Sequence, residues 1–350
     1  MSIDPDTDPT RFSLSSVVVS WQREHGRNDL PWQGSGDPYR VWLSEIMLQQ
    51  TQVVTVRLYF ERFLARFADV RALAEAPFDD VLALWAGLGY YSRARNLHRC
   101  AKVVSVRYGG EFPRSARELQ TLPGIGKSTA AAIAAICFAE RVAILDGNVR
   151  RVLARFLAFD ADLARASNER DLWDQATQLL PKRDLTLQMP RYTQGMMDLG
   201  ATVCTSKKPV CGVCPLAPEC LARRREMVDQ IPLRSRKIRR STQSIWLLWA
   251  RSSTGEVWLE RRPTPGVWAG LYCMPWFDDL ASLQAALPAG YSIKQLPAVK
   301  HVLTHKDLHL HPVQVDLDAH IKPMPDGAWM TQVQWRQLGL PVPISKLLHA

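Results

Sequence analysis

The chain has 350 residues, a length that favours two or three domains over one. Hydrophobic residues make up 47% and charged residues 22%, which excludes a wholly disordered or fibrous chain. The 44 basic and 34 acidic residues leave a net charge of +10, which favours a polyanionic partner. The longest apolar run, 130–139, is half of the roughly 20 residues that span a bilayer, and the first residues are acidic. We therefore expect a cytoplasmic protein without a signal peptide or membrane partner.

Patterning along the chain predicts a helical region first. Residues 1–10 carry three aspartates and are predicted to form a disordered tail. From Leu14 to about Asp198 the pattern is mostly helical. Asp37-Pro38 is predicted to cap a long helix that runs from about Tyr39 and includes Val53 and Val56. Residues 128–138 form a predicted Ala-rich helix.

A change in composition separates this region from the rest. Residues 223–240 contain eight basic and two acidic residues, so more than half of the net charge lies here. We predict an interdomain linker at 224–243, which is either a solvated connector or a segment that follows phosphates. Beyond it the apolar pattern alternates, with Thr254-Gly255 as a hairpin turn and another alternating stretch at 308–317. Residues 244–350 are thus predicted to form a separate domain that contains β-strands.

Seven cysteines in a protein expected in the cytosol favour thiol or metal chemistry over disulfides. Four of them have the spacing C-x6-C-x2-C-x5-C: Cys204, Cys211, Cys214 and Cys220. Four thiolates within 17 residues can hold zinc or an iron–sulfur cluster, and spacing alone leaves both open. The other three are predicted to be buried apolar residues: Cys100, Cys137 and Cys273.

The segment LPGIGKST, residues 122–129, lies between two predicted helices. Gly124 and Gly126 permit close approach of a ligand to the backbone, and the helix that follows begins with free N–H groups suited to a phosphate. This is the form of a helix-hairpin-helix motif, placed at about 117–138. Only Ile125 separates the glycines, which excludes the P-loop spacing.

Two carboxylates stand in unusual surroundings. Glu45 lies among apolar residues of a predicted helix, which would raise its pKa and keep it protonated. Asp146 follows an apolar run and precedes a predicted helix, where it would cap the helix and remain ionised. A proton donor beside a fixed anion is what cleavage of an N-glycosidic bond requires. A surface glutamate and a plain helix cap are the alternatives.

Five segments in this order resemble the MutY family of adenine-specific DNA glycosylases, which belongs to the helix-hairpin-helix superfamily with endonuclease III. They are LSEIMLQQTQ, GLGYYSRARNL, LPGIGKSTA, ILDGNVRRVL and the four-cysteine loop. The resemblance covers 14–222 closely and 244–350 more loosely, where GVWAGLYCMP is similar to the family's Nudix-like domain. It implies an all-α catalytic domain at 11–223 and an α+β Nudix-like domain at 244–350.

The resemblance implies excision of adenine mispaired with 8-oxoguanine or guanine in double-stranded DNA, by a monomer associated with the nucleoid. Glu45 would protonate the flipped adenine, Asp146 would stabilise the cationic sugar, and Asn148 would assist. The residues implied to enter the duplex are Leu48, Gln49, Gln50 and Tyr90. Those implied to contact DNA at the hairpin are Gly124, Gly126, Lys127 and Ser128, and Arg93, Arg95 and Arg99 would add to a basic DNA face.

Further residues are assigned by the resemblance alone. The four cysteines would hold a structural 4Fe–4S cluster. The adenine pocket would involve Trp32, Gln194 and Met197. An aromatic-Ser-His segment that reads 8-oxoguanine in the family corresponds to Leu303-Thr304-His305, in which threonine keeps the hydroxyl but leucine cannot stack as a ring can. The catalytic carboxylates of Nudix hydrolases are missing after Pro275, so this domain is expected to recognise and not to hydrolyse.

One position separates two reactions. Relatives that also cleave the strand place a nucleophilic lysine two residues after the second hairpin glycine, and here that position is Ser128. Lys127 is one residue early, which turns its side chain by about 100°. We therefore expect a monofunctional glycosylase. The alternatives are a bifunctional glycosylase–lyase, a non-catalytic redox-sensing DNA-binding protein and a nucleotide pyrophosphohydrolase.

Overall fold

The computed structural model describes residues 12–235 and 239–349. The predicted tail, 1–10, and residues 236–238 of the predicted linker lie outside the described residues. Two compact units are present: one of residues 12–71 and 99–235, the other of residues 72–98 and 239–349. Across the described ranges, no helix is both long enough and apolar enough to cross a membrane.

The region before the linker is helical, as predicted. In chain order its elements are α1 (Leu14–His25), α2 (Pro38–Leu48), α3 (Val53–Arg66), α4 (Val70–Glu75), α5 (Phe78–Trp85), α6 (Ser92–Arg107), α7 (Ala116–Leu119), α8 (Lys127–Phe138), α9 (Gly147–Phe156), α10 (Ala166–Gln178), α11 (Leu185–Thr202), a 3-10 turn at Cys211–Val213, and α12 (Leu221–Arg224).

The start of α2 follows the prediction. The Asp37 carboxylate accepts a hydrogen bond from the Tyr39 amide at 2.9 Å, and Pro38 occupies the first turn, where no amide donor is needed. This start directs α2 into the first unit, where Trp42, Leu43 and the residues around them are buried.

The prediction of one long helix beyond Leu48 is wrong. Helix α2 ends there, and α3 begins only at Val53. Gln50 lies between them with a φ of +59°, a left-handed conformation that cannot continue a right-handed helix. Gln49 and Gln50 therefore lie in a turn between helices instead of on a helix face.

Small residues let the helices of the first unit pack closely. Residues 130–135 of α8 are all buried, and five of these six are alanine. In α11, Gly200 has no room for a side chain, because a Cβ atom there would lie 2.7 Å from the Asn148 Cβ atom of α9. Helices α9 and α11 therefore approach each other at the residues where the site is built.

The second unit contains the strands and three further helices. These are β1 (Ser241–Ser252), β2 (Val257–Arg261), β3 (Tyr272–Cys273), β4 (Trp276–Phe277), α13 (Leu280–Ala285), β5 (Lys294–Gln295), β6 (Val299–Val302), β7 (Lys306–Leu317), β8 (Gly327–Met330), α14 (Gln332–Trp335) and α15 (Val342–Leu348).

Among the described residues, eight strands form one sheet with the central order β3-β2-β1-β7-β5. The predicted hairpin is confirmed: β1 and β2 are antiparallel, and Gly255 in the turn has a φ of +83°. The second predicted alternating stretch is β7, which pairs with β1 in parallel over twelve residues. The buried residues of β1 and β7 share a core with Trp258 and Leu283.

Residues 72–98 belong to the same compact unit as the sheet. Arg95 donates a hydrogen bond to the Ala269 carbonyl at 2.7 Å, and Arg261 forms an ion pair with Asp79 at 3.0 Å. The predicted catalytic domain, 11–223, includes this segment, because composition along the chain gives no sign of these long-range contacts. The compact units and the predicted domain boundaries therefore divide the chain differently.

Candidate active site

A cavity of about 310 Å³ opens in the first unit beside α2 and α11. Three residues singled out by sequence line it: Trp32, Glu45 and Gln194. Trp32 is buried and meets Phe60 edge-on at 5.3 Å between ring centroids. Met197, which was assigned to the same pocket, packs against the core of the first unit and is not among the lining residues.

Glu45 is held protonated at neutral pH. Its carboxyl group lies at the cavity wall among buried residues of α2, and burial raises its pKa to about 8, with a further contribution from the negative charge of Asp146. Apolar residues from separate segments line the same cavity, among them Trp32 and Ile136, so folding creates the low-polarity surroundings of Glu45. A glutamic acid in this state can donate a proton to a base bound in the cavity.

Asp146 occupies the predicted position at the start of α9, which begins at Gly147. Its carboxylate accepts a hydrogen bond from the Val149 amide at 2.7 Å. Burial raises its pKa, and the amides of Val149 and Asn148 and the nearby Arg151 oppose that rise. The two carboxyl groups are thus 101 positions apart in sequence but close enough for the charge of Asp146 to raise the pKa of Glu45.

Arg151 joins the candidate catalytic residues to the cysteine loop. Its guanidinium donates to the Asn148 side-chain oxygen at 2.8 Å, to the Gly200 carbonyl at 2.7 Å and to the Cys204 carbonyl at 2.7 Å. Charged hydrogen bonds of this length hold their partners firmly. Arg151 was not singled out by sequence, although the doublet Arg150-Arg151, which begins two residues after Asn148, was a signal.

The polar residues that hold the cavity residue Gln194 in place were also missed. Asp198 is fully buried and accepts hydrogen bonds from the Arg27 side chain at 2.7 Å and from the Gln194 amide nitrogen at 2.9 Å. Because a carboxylate can only accept, this contact fixes the Gln194 amide orientation. Gln22 and Gln33 also line the cavity. The only sequence signal for Gln22 and Gln33 is an excess of side-chain amides in a helical region.

The hairpin adopts the predicted helix-turn-helix form between α7 and α8, and Gly124 has a φ of +77°. Two of its predicted DNA contacts already have intramolecular partners. The Ser128 hydroxyl accepts a hydrogen bond from the Leu145 amide at 3.2 Å, and the Lys127 ammonium lies 3.9 Å from the centroid of the Trp173 ring. Ser128 thereby supports the residue that precedes Asp146.

Four cysteines line one small cavity behind α9: Cys204, Cys211, Cys214 and Cys220. The pKa of the Cys214 thiol is raised to about 11, chiefly by burial and also by the charges of the other three thiols, which lie close to it. Among the described residues, no three Cys, His, Asp or Glu side chains are placed to hold a single metal ion.

Arg155 is buried beside these thiols. Its guanidinium lies 3.4 Å from the Cys204 sulfur and donates to the Thr205 carbonyl at 2.7 Å. Of the remaining cysteines, Cys100 and Cys273 are buried, as predicted, and Cys137 is half-buried.

The second unit contains the residues assigned to lesion recognition. Leu303-Thr304-His305 forms the tight turn between β6 and β7, closed by a 2.8 Å hydrogen bond from the Leu303 amide to the Lys306 carbonyl. Thr304 and His305 are exposed. The Tyr90 hydroxyl lies 2.8 Å from the Thr304 hydroxyl oxygen, and Tyr90 itself is 43% exposed with a φ of +50°.

Not all basic residues assigned to a DNA face are exposed. Arg93 is buried and donates to the Leu88 and Gly89 carbonyls, and burial lowers its pKa to about 10. Its assignment to the basic DNA face is therefore wrong. Arg95 is half-buried against the Ala269 carbonyl, whereas Arg99 is exposed.

The described ends of the predicted linker are also anchored. Arg224, in α12, forms an ion pair with Glu219 at 2.6 Å. At the other end Arg240 donates to the Thr304 carbonyl at 3.1 Å and pairs with Asp307. At least these two linker arginines are therefore not simply solvated.

Residues 43–177 match the HhH-GPD superfamily of base excision DNA repair proteins, and residues 245–350 match the NUDIX domain. An adenine DNA glycosylase of Buchnera aphidicola subsp. Acyrthosiphon pisum is 34% identical over 347 residues, which cover 97% of this chain and 98% of that protein. A human adenine DNA glycosylase is 42% identical over 224 residues, 61% of this chain and 40% of that protein.

The fold agrees with these sequence relationships. The structure of a thermostable thymine-DNA glycosylase matches 60% of this chain and 95% of its own length, with a TM-score of 0.53 and 27% identity. The predicted fold class, a helix-hairpin-helix domain with a Nudix-like domain, is confirmed. With near-complete coverage at 34% identity, this chain belongs to the family of adenine DNA glycosylases, enzymes of base excision repair.

Proposed function

We propose that this adenine DNA glycosylase acts on adenine mispaired with 8-oxoguanine or guanine in duplex DNA. The observation that carries the proposed chemistry is the environment of Glu45: its pKa of about 8 keeps it protonated in a cavity with Asp146 nearby. Glu45 is the proton donor and Asp146 is the anion, and the different surroundings of the two carboxyl groups suit these opposite roles.

In the proposed reaction the adenine turns out of the duplex into the cavity. Glu45 donates its proton to a ring nitrogen of the base. The bond between the sugar C1′ atom and the base then breaks, and its electron pair leaves with the base. Asp146 stabilises the resulting oxocarbenium-like sugar, Asn148 assists by hydrogen bonding, and water adds to C1′ with release of a proton.

Four residues are proposed to enter the duplex: Leu48, Gln49, Gln50 and Tyr90. Turning out a base costs a few kcal/mol of stacking, which an inserted side chain offsets. The turn between α2 and α3 supports this role, because it releases Gln49 and Gln50 from the helix and leaves Gln50 exposed. The exposure of Tyr90 supports the same role in the second unit.

The cysteines are proposed to hold a 4Fe–4S cluster: Cys204, Cys211, Cys214 and Cys220. Four thiols around one cavity, with the Arg155 guanidinium beside the Cys204 sulfur, fit a group of negatively charged thiolates. The bound cluster would cross-link the loop of residues 204–220 through its four cysteines. Arg151 and Arg155 would hold that loop against the helix that carries Asn148.

The C-terminal domain is proposed to read the lesion. Thr304 and His305 offer a hydroxyl and an imidazole on an exposed turn, with Leu303 beside them. Nudix-type hydrolysis is not proposed. Asp279, one of the two acids that follow Pro275, caps α13 through a 2.6 Å hydrogen bond from the Ser282 amide.

One gel assay tests the proposed reaction. Duplexes with adenine opposite 8-oxoguanine, guanine or thymine are incubated with protein and then treated with alkali. We expect breaks that require alkali and the first two opposing bases. Glu45→Gln should lower the single-turnover rate by about 10²- to 10⁴-fold with binding retained. Efficient cleavage without alkali, through an adduct trapped by borohydride, would refute the monofunctional assignment.

A further inference from the structure

A third cavity, of about 510 Å³, lies wholly within the second unit. Its size is in the range that accepts a small ligand. Apolar residues from α5, α14 and the start of α15 form much of the wall: Ala83, Ala86, Trp335, Leu338, Leu340 and Val342. Trp335 and Leu340 are buried, so this wall is set by the fold and not by mobile surface side chains.

The ionisable side chains that line this cavity are all basic. Arg336, Lys346 and His349 lie at the cavity, and the described lining residues include no aspartate or glutamate. Neither Arg336 nor Lys346 forms an ion pair with a carboxylate within the described part of the chain. The pKa of His301 is lowered mainly by burial and also by the positive charge of Lys346. The electrostatic effect of Lys346 therefore extends beyond the cavity.

The cavity is joined to the loop that displays Tyr90. Gly87 lines it, three positions before Tyr90. The Tyr91 hydroxyl donates to the carbonyl of Leu340, another lining residue, at 3.3 Å. A ligand held here would therefore lie on the same segment as a residue proposed to contact DNA.

The Arg336 guanidinium lies 5.8 Å from the centroid of the Trp335 ring and, like the Lys346 ammonium, forms no ion pair with a described carboxylate. An apolar wall beside such cations favours a ligand that has an anionic group and a flat, weakly polar body. We propose that this cavity binds a nucleotide, with its phosphate at Arg336 and Lys346 and its base against the apolar wall beside Trp335. The described lining residues offer no carboxylate to hold a divalent cation. The nucleotide is either free or part of a DNA strand, and only the second source rests on the function proposed above.

The test uses the full chain and the double variant Arg336→Gln/Lys346→Gln. Its control is Lys294→Gln/Lys322→Gln, which removes the same charge from two exposed residues of the same unit that do not line the cavity. Calorimetry measures binding of deoxyadenosine monophosphate, deoxyadenosine and inorganic phosphate. Binding of a mismatched duplex is measured as a function of salt, and thermal unfolding verifies that each variant folds.

A free-nucleotide site predicts that the monophosphate binds more tightly than either fragment and that the cavity variant, unlike the control, weakens this binding at least tenfold. A site for a nucleotide of the DNA strand predicts that the slope of log affinity against log salt falls by about 1 to 2 in the cavity variant only. If neither change occurs in a folded variant, the proposal is refuted. Adenine excision under saturating enzyme, measured in parallel, tests the proposed function separately, since neither substitution touches that site.

Discussion

The pH dependence of excision should report the protonation of Glu45. With a pKa of about 8, Glu45 is about 90% protonated at pH 7 and about 10% protonated at pH 9. An ordinary glutamate with a pKa of 4.5 would be only about 0.3% protonated at pH 7. The buried position therefore increases the fraction of competent enzyme at neutral pH by more than two orders of magnitude.

The assay is single-turnover excision with enzyme in excess, so that product release does not limit the rate. We expect a plateau from pH 5 to pH 7 and a roughly tenfold loss between pH 7 and pH 9. Circular dichroism at each pH separates this loss from unfolding. A rate that already falls tenfold per pH unit between pH 5 and pH 7 would refute the reasoning, because Glu45 would then titrate like a solvated carboxyl group.

The same pKa shift predicts an effect on stability. The folded protein holds the Glu45 proton more tightly than the unfolded chain, so this group stabilises the fold at low pH. That contribution is lost as pH rises from about 4.5 to about 8. Glu45→Gln cannot ionise, so its melting temperature relative to the unmodified protein should rise across this window and stay constant above it. A difference that is independent of pH would contradict the assigned environment.

Three further experiments test contacts around the sites. Ser128→Ala leaves the buried Leu145 amide without its acceptor and should cost about 1–3 kcal/mol in denaturant unfolding, with slower excision; unchanged stability would show that the contact is dispensable. Gly200→Ala forces a Cβ atom against α9 and should cost about 1–3 kcal/mol and slow excision. Gly212→Ala is the control for adding a methyl group at a glycine, because its Cβ atom meets no atom within 4 Å and its backbone is not left-handed. A double-mutant cycle of Tyr90→Phe and Thr304→Val measures the contact between the two hydroxyl groups. The coupling free energy in binding duplexes that contain 8-oxoguanine should be about 0.5–1.5 kcal/mol. Additive effects of the two substitutions would indicate that the hydroxyl contact is not used in binding.

Local patterns determined much of the architecture. Alternation identified β1, β2 and β7, and Asp37-Pro38 identified the start of α2. Asp146 was recognised as a helix cap, because capping depends on residues within one turn of each other. The glycines of the hairpin and the spacing of the cysteines were equally local signals.

The tertiary structure decided what local patterns do not encode. Only folding brings Asp146 to Glu45, and desolvation by residues distant in sequence then sets the protonation state of Glu45. The interruption after Leu48 required the actual conformation of Gln50, since the sequence there is compatible with a continuous helix. The burial of Arg93 and the association of residues 72–98 with the sheet depend on hydrogen bonds and packing across long separations. The sequence alone therefore determined which residues could carry the chemistry, and the tertiary structure decided their charge, exposure and neighbours.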